Sequence, residues 1–365
     1  MAPSASTAFK SPLHQMTQTT STCLWNDSAA LEELKYAIEH GAVGATCNPS
    51  IAVTVIKQEL ATWRVRMLEL LREMPDANEE QIAWRIVEEI SANASKLLLP
   101  IFERSKGRNG RLSIQTDPRN YRSTRAMLEQ AMRFSQLAPN MIVKIAATKA
   151  GIPAMEEATY RGISINATVS FTVPQAIAVA EAVERGLKRR EAEGLDISTM
   201  GPVCTIMVGR LDDWLKVVHD KQKLSVDPGY FEWAGVAAFK KAYRIYQERG
   251  YRLRLLSAAF RNHMHWSEFI GGDVVISPPC GWQKRYNQSD IEIVDRIHTP
   301  VDAKIVDTLL RKFPDFERAY MEDGLTPEEF DTFGSTRRTL RGFIASVAEM
   351  NGIVRDVMLP NPDTE

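Results

Sequence analysis

The chain has 365 residues, 45 basic and 46 acidic side chains, and a formal net charge of −1 at pH 7. Its 44% hydrophobic content is enough for a sizeable core, in two ordinary domains or one large α/β barrel. No basic stripe or acidic tail stands out, which argues against nucleic acid or a membrane surface as partner.

The first 20 residues are polar and lack an apolar stretch, so a flexible tail over 1–20 is expected rather than a signal peptide. Thr22–Trp25 reads as a short strand, followed by Asn26-Asp27-Ser28, with Ser28 as the N-cap of a helix over Ala29–Glu39. A second strand, Val43–Thr46, runs into Cys47-Asn48-Pro49-Ser50. Residues 51–106 read as a helical insert: one helix to about Arg72, a turn at Met74-Pro75-Asp76, and a second helix from Glu79 to about Arg104. Arg111–Thr116 is the third strand, and a helix follows over Tyr121–Ala138.

Met141–Thr148 is the fourth strand, apolar on both faces except for Lys144. Alternation puts Ile142, Lys144 and Ala146 on one face. An ammonium there is costly unless it is paired or loses its proton, and a desolvated lysine is suited to Schiff-base chemistry. The competing reading is a strand-end lysine that reaches out to water. Next come a helix at Ile152–Arg161, strand five at Ile163–Thr168, and a helix from about Val173 to Glu193. Strand six is Pro202–Val208, and helices cover Asp212–Lys221 and Tyr230–Glu248. Strands seven and eight are Arg252–Ser257 and Asp273–Ser277, and residues 302–357 read as charged helices across the outside or the mouth of the fold.

About eight strands, each followed by a helix and without hairpin signals, predict a (β/α)8 TIM barrel over 21–301, with extra helices after strand two and a C-terminal helical extension over 302–365. A doubly wound open sheet is the alternative, but neither G-x-G-x-x-G nor a P-loop occurs. Barrel active sites sit at the C-terminal strand ends. Those ends carry Asp27, Thr46, Asn48, Ser113, Gln115, Asp117, Lys144, Ser164, Asn166, Thr168 and Thr205. Polar groups repeatedly aimed into a barrel mouth are hard to explain as packing. Asn48, directly before Pro49, has a rival role as a helix cap.

Taken in order, Asp27, Ala-Thr-Cys-Asn-Pro-Ser at 45–50, Met-Ile-Val-Lys-Ile-Ala-Ala-Thr at 141–148, Ile-Asn-Ala-Thr-Val-Ser-Phe at 165–171, Met-Val-Gly-Arg at 207–210 and Ala-Phe-Arg-Asn at 259–262 resemble the transaldolase family. The resemblance implies a class I aldolase barrel without metal or organic cofactor. It implies a cytoplasmic transferase of the pentose phosphate pathway, with a homodimer as the family-based expectation. Such an enzyme moves a dihydroxyacetone unit between sugar phosphates such as sedoheptulose 7-phosphate and fructose 6-phosphate. Carried over by position, Lys144 is the Schiff-base nucleophile and Asp27 the acid/base group. Asn48, Thr46, Asn166 and Thr205 surround the donor hydroxyls, and Thr168 holds the water of imine formation. Arg210 and Arg261 grip the phosphate, with Ser257 and Asn262 as neutral donors.

Gln115 stands where the resemblance leads one to expect a proton-handling glutamate, and glutamine can only position water or another group. The fructose 6-phosphate aldolase branch also has glutamine there, paired with a tyrosine whose position is Met207 here. Ala259 lacks the usual serine hydroxyl, and Thr205 conservatively replaces a serine. The alternatives are therefore a lyase releasing free dihydroxyacetone, an enzyme for a specialised sugar, and a non-catalytic sugar-phosphate-binding barrel. His263-Met-His265 has no partner cluster for a metal, Cys23, Cys47, Cys204 and Cys280 form no C-x-x-C pair and fit a reducing cytoplasm, and the Trp, Met and Phe residues of the helices read as core.

Overall fold

A computed structural model describes residues 9–363. The eight strands close into a parallel barrel in sequence order: β1 (Cys23–Asn26), β2 (Ala42–Thr46), β3 (Arg111–Gln115), β4 (Met141–Ala146), β5 (Ile165–Thr168), β6 (Val203–Ile206), β7 (Arg254–Ser257) and β8 (Val275–Ile276). The expected (β/α)8 architecture is the one the chain adopts.

Two apolar layers result. Trp25, Ile142, Val203, Leu256, Ala258 and Val275 form a small separate cluster, and alternation along β4 and β6 aligns it with the face of Lys144 and Thr205. Gly44 on β2 belongs to this floor, because a Cβ there would collide with the Trp25 indole. The larger cluster lies between the strands and the helices.

The tail expected over 1–20 is corrected in its second half, while residues 1–8 lie outside the described residues. Pro12–Thr19 forms α1, capped by Ser11, whose Oγ accepts from the His14 N–H. Leu13 and Met16 are fully buried, and the Met16 sulfur accepts from Trp266 Nε1 at 3.2 Å. α2 (Leu31–Glu39) starts later than expected, and Ser28 Oγ accepts from Ala30 N–H in the preceding turn instead of capping the helix.

The insert after β2 is three helices, α3 (Pro49–Gln58), α4 (Leu60–Glu73) and α5 (Glu79–Arg104). The single helix expected to Arg72 breaks at Glu59 (φ −117°, ψ 34°), where the chain leaves the barrel to pack on α5. No glycine or proline marks that break, since packing alone redirects the chain. Around the barrel follow α6 (Thr124–Ser135), α7 (Gly151–Tyr160), α8 (Val173–Ala192), α9 (Val208–Gln222), α10 (Ala234–Arg249), α11 (Met264–Ser267) and α12 (Cys280–Asn287). Because α9 begins at Val208, Arg210 sits in the first turn of a helix and not in a loop after β6.

The C-terminal elements are α13 (Ala303–Lys312), α14 (Pro314–Tyr320) and the long α15 (Gly334–Met358). α15 buries Leu340, Phe343, Val347, Met350, Val354 and Val357, a stripe with helical spacing. It packs against α3, α4, α5 and α9, so it crosses the side of the barrel that carries the insert. No helix among the described residues is long and apolar enough to cross a membrane.

Candidate active site

Lys144 is 6% exposed, and it lines a cavity of about 440 Å³ at the C-terminal mouth of the barrel. Desolvation pushes its pKa below the ordinary lysine value, opposed by the negative charge of Asp27 and by Cys47. Cys47 is itself pushed up to about 11 by burial, so its thiol is neutral near pH 7. No side chain among the described residues hydrogen-bonds the Lys144 amine. A lysine lowered in this way and facing a cavity has the setting that Schiff-base chemistry requires, which removes the reading of a lysine reaching out to water.

Asp27 follows β1 and lines the same cavity. Its Oδ1 accepts from Thr46 Oγ1 at 2.5 Å, which fixes the carboxylate while leaving its other oxygen unclaimed by side chains among the described residues. Asn48 takes the capping role considered for it and also lines the cavity. Its Oδ1 caps α3 by accepting from Ile51 N–H at 2.9 Å, and its amide nitrogen stays available on the cavity wall.

Behind the wall lies a polar row set by the strand register, in which Gln115 faces Lys144 and Lys144 faces Asn166. Asn166 is fully buried. Its Nδ2 donates to Ser113 Oγ at 3.0 Å and its Oδ1 accepts from Thr205 Oγ1 at 2.7 Å. These two bonds fix the amide orientation and leave one N–H. Thr168 reaches the cavity, whereas Gln115 and Asn166 sit beneath its lining. The Gln115 Oε1 is buried without a hydrogen-bond partner.

Just past Thr168, Val169 has a left-handed backbone (φ 52°). The buried Gln175 braces this turn, with its Nε2 donating to Ala147 O at 3.0 Å and Val169 O at 3.1 Å. The same amide accepts from Phe171 N–H at 3.0 Å. The ends of β4 and β5 are thus tied together.

Arg210 and Arg261 line the same cavity. Arg261 pairs with Asp213 at 2.7 Å, and its backbone N–H donates to His265 Nδ1 at 3.1 Å. That bond assigns the proton to His265 Nε2, which donates to the fully buried Asp212 at 2.8 Å. Asp212 also accepts from Gly235 N–H at 2.7 Å. Arg210 has no ion pair or side-chain hydrogen bond among the described residues, and its Nε is buried. Burial, then the neighbouring Arg261, lower its pKa. Two guanidiniums at one rim, one of them without an anion, are suited to a bidentate anionic group.

Two of the expected substrate contacts are corrected. Ser257 points away from the cavity, because Leu256 and Ala258 take the inward positions on either side of it. Its Oγ donates to His265 O at 3.1 Å. Asn262 is off the cavity wall, since its Oδ1 accepts from Met264 N–H at 2.9 Å and its Nδ2 donates to Glu232 at 2.7 Å. Asp117 does not stand in for the missing glutamate either, because it is paired with Arg119 in a separate crevice. The carboxylates lining the cavity are Asp27 and Glu33. No group of three or more metal-ligating side chains occurs among the described residues.

Sequence reasoning missed Glu33, Trp282 and Phe343 as lining residues. Phe343 belongs to the apolar stripe of α15, and nothing in that spacing separates a ring at a cavity from one in the core.

A family profile described as transaldolase/fructose-6-phosphate aldolase matches residues 24–326. Transaldolase 2 of Streptomyces avermitilis is 32% identical over 216 residues, covering 56% of this chain and 55% of that protein. The transaldolase of Thiobacillus denitrificans is 33% identical over 240 residues, covering 62% of this chain and 64% of its own. The chain therefore spans between about half and two thirds of the length of these relatives.

Proposed function

This chain belongs to the transaldolase/fructose-6-phosphate aldolase family, and from that premise we propose that it is a transaldolase-type transferase working through an imine on Lys144. The observation that carries the reading is a buried, unpaired amine sharing one cavity with Asp27, Arg210 and Arg261.

In this reaction the neutral Lys144 amine attacks the C2 carbonyl of a ketose phosphate such as fructose 6-phosphate or sedoheptulose 7-phosphate. The carbinolamine loses water, held at Thr168, and leaves a protonated iminium. Asp27 removes the proton of the C4 hydroxyl, the C3–C4 bond breaks, and its electron pair flows to the iminium nitrogen to give an enamine. The aldose phosphate leaves. The enamine carbon then attacks the aldehyde of an acceptor aldose phosphate, whose oxygen takes the proton back from Asp27. Water releases the product and returns the free amine. Asn48 orients a donor hydroxyl without adding charge beside the iminium, and Asn166, beneath the lining, acts through Thr205, whose hydroxyl it holds. Arg210 and Arg261 hold the phosphate. The reading includes a cytoplasmic homodimer, as the family resemblance implies.

A lyase that releases dihydroxyacetone is the second reading, favoured by Gln115. Borohydride reduction with a panel of ketose donors should leave a mass adduct on Lys144, and no adduct with any donor sinks the proposal. With fructose 6-phosphate alone, a transferase stalls near one turnover per site, whereas a lyase continues to yield glyceraldehyde 3-phosphate.

A further inference from the structure

The last strong helix, α15, begins after the end of the family-matched region at residue 326. Phe343 of this helix nevertheless lines the cavity. The Arg210 guanidinium lies over the Phe343 ring, 5.6 Å from its centroid. We infer that α15 is a specificity element of this chain, in which Phe343 positions Arg210 for the phosphate of the substrate.

The placement of the helix supports this role. Ser346 is hydrogen-bonded to Ser50 of α3 at 2.7 Å, and Ser50 itself lines the cavity. One turn further on, Glu349 pairs with Lys57 at 2.5 Å. Arg355 forms two bonds to Glu79 of α5, at 2.6 and 2.5 Å. At the other end Arg338 reaches Asp213 O at 3.5 Å. Gly334 lies against the Trp214 ring of α9 so closely that a Cβ would collide with it. Three separate helices therefore fix where the Phe343 ring stands.

The electrostatics explain why a ring is used. Arg210 and Arg261 repel each other, and Asp213 is committed to Arg261. A carboxylate beside Arg210 would hold it in place but would compete with the incoming anion. The negative face of an aromatic ring attracts the guanidinium without that competition. Arg210 is then oriented yet still unneutralised when phosphate arrives. Phe343 acts through Arg210 and is a positioning residue.

The test compares wild type with Phe343→Leu, which keeps apolar packing but lacks the ring, and Phe343→Tyr, which restores it. Binding of inorganic phosphate is measured by calorimetry, and KM and kcat are measured for fructose 6-phosphate and for unphosphorylated fructose. The expected result for Phe343→Leu is phosphate affinity weaker, and KM for the phosphorylated donor higher, by roughly three- to tenfold. Any change in kcat or in KM for fructose is smaller than the change in KM for the phosphorylated donor, and Phe343→Tyr behaves as wild type. Equal effects on both donors, unchanged phosphate binding in Phe343→Leu, or no phosphate binding by wild type each overturn the inference. It rests on the proposed function only for the donors. Ring-dependent phosphate binding without any Lys144 adduct would overturn the transferase reading and leave this inference standing, and an adduct with ring-independent binding would do the reverse.

Discussion

Gln115 lies opposite Lys144 in the β3–β4 ladder, with its Oε1 buried and without a partner. A buried acceptor left unsatisfied costs about 1–3 kcal/mol. Gln115→Met keeps the volume and removes that acceptor, so stability should rise by about 1 kcal/mol while turnover falls. Urea unfolding and a donor-consumption assay read the two effects, and a less stable variant would mean that the amide is satisfied in solution.

Lys144 predicts a pH-dependent stability. Its folded-state pKa lies below its unfolded value of 10.5, so the unfolded chain binds more protons in the window between the two. Stability therefore rises with pH through that window, and at pH 7 the buried amine is a burden. Lys144→Met should be more stable than wild type at pH 7, with an advantage that shrinks as pH approaches 10.5. Urea midpoints at both ends of the window check this, and the variant should form no borohydride adduct.

Asp27 raises the Lys144 pKa, in opposition to burial. Asp27→Asn removes that support, so Lys144 should lose its proton at lower pH. Trapping by a ketose should persist, with its acid limb moved down. Turnover should drop by roughly 100-fold or more, since the proposed mechanism then lacks its proton acceptor for bond cleavage. A pH series of trapping rates beside turnover separates the two roles. An acid limb moved upward would contradict this arrangement of charges.

The outward orientation of Ser257 gives a contrast at the anion rim. Ser257→Ala removes a bond to His265 O and should cost about 1 kcal/mol of stability, with KM for a phosphorylated donor unchanged. Arg261→Lys, which loses the bidentate fork, should raise that KM by roughly tenfold or more. A KM effect at Ser257 comparable to that at Arg261 would return Ser257 to the substrate.

The barrel was legible because β4 and its neighbours are apolar runs separated by helix-length amphipathic segments, a pattern that few folds share. Lys144 and Asp27 were legible because a charge in or beside such a run is conspicuous. Ser257 and Asn262 were not, since a one-residue offset inverts the face of a strand and a capping amide looks like a binding amide. α1 was hidden because its 8 residues bury only Leu13 and Met16, too few to establish a period. The break at Glu59 and the exposure of Phe343 to the cavity both come from distant packing, which local sequence does not encode.

The brace made by Gln175 joins the carbonyls of Ala147 and Val169, and so couples the strand bearing the amine to the strand bearing Thr168. Val169, β-branched at φ 52°, occupies a conformation that costs roughly 1–2 kcal/mol, and the fold supplies this before any sugar arrives. The spacing between Lys144 and Thr168, the nucleophile and the water site of the proposed mechanism, is therefore set by the fold itself. Under the proposed mechanism donors of different chain length would meet the same reaction geometry, and discrimination among them would fall to the rest of the cavity lining.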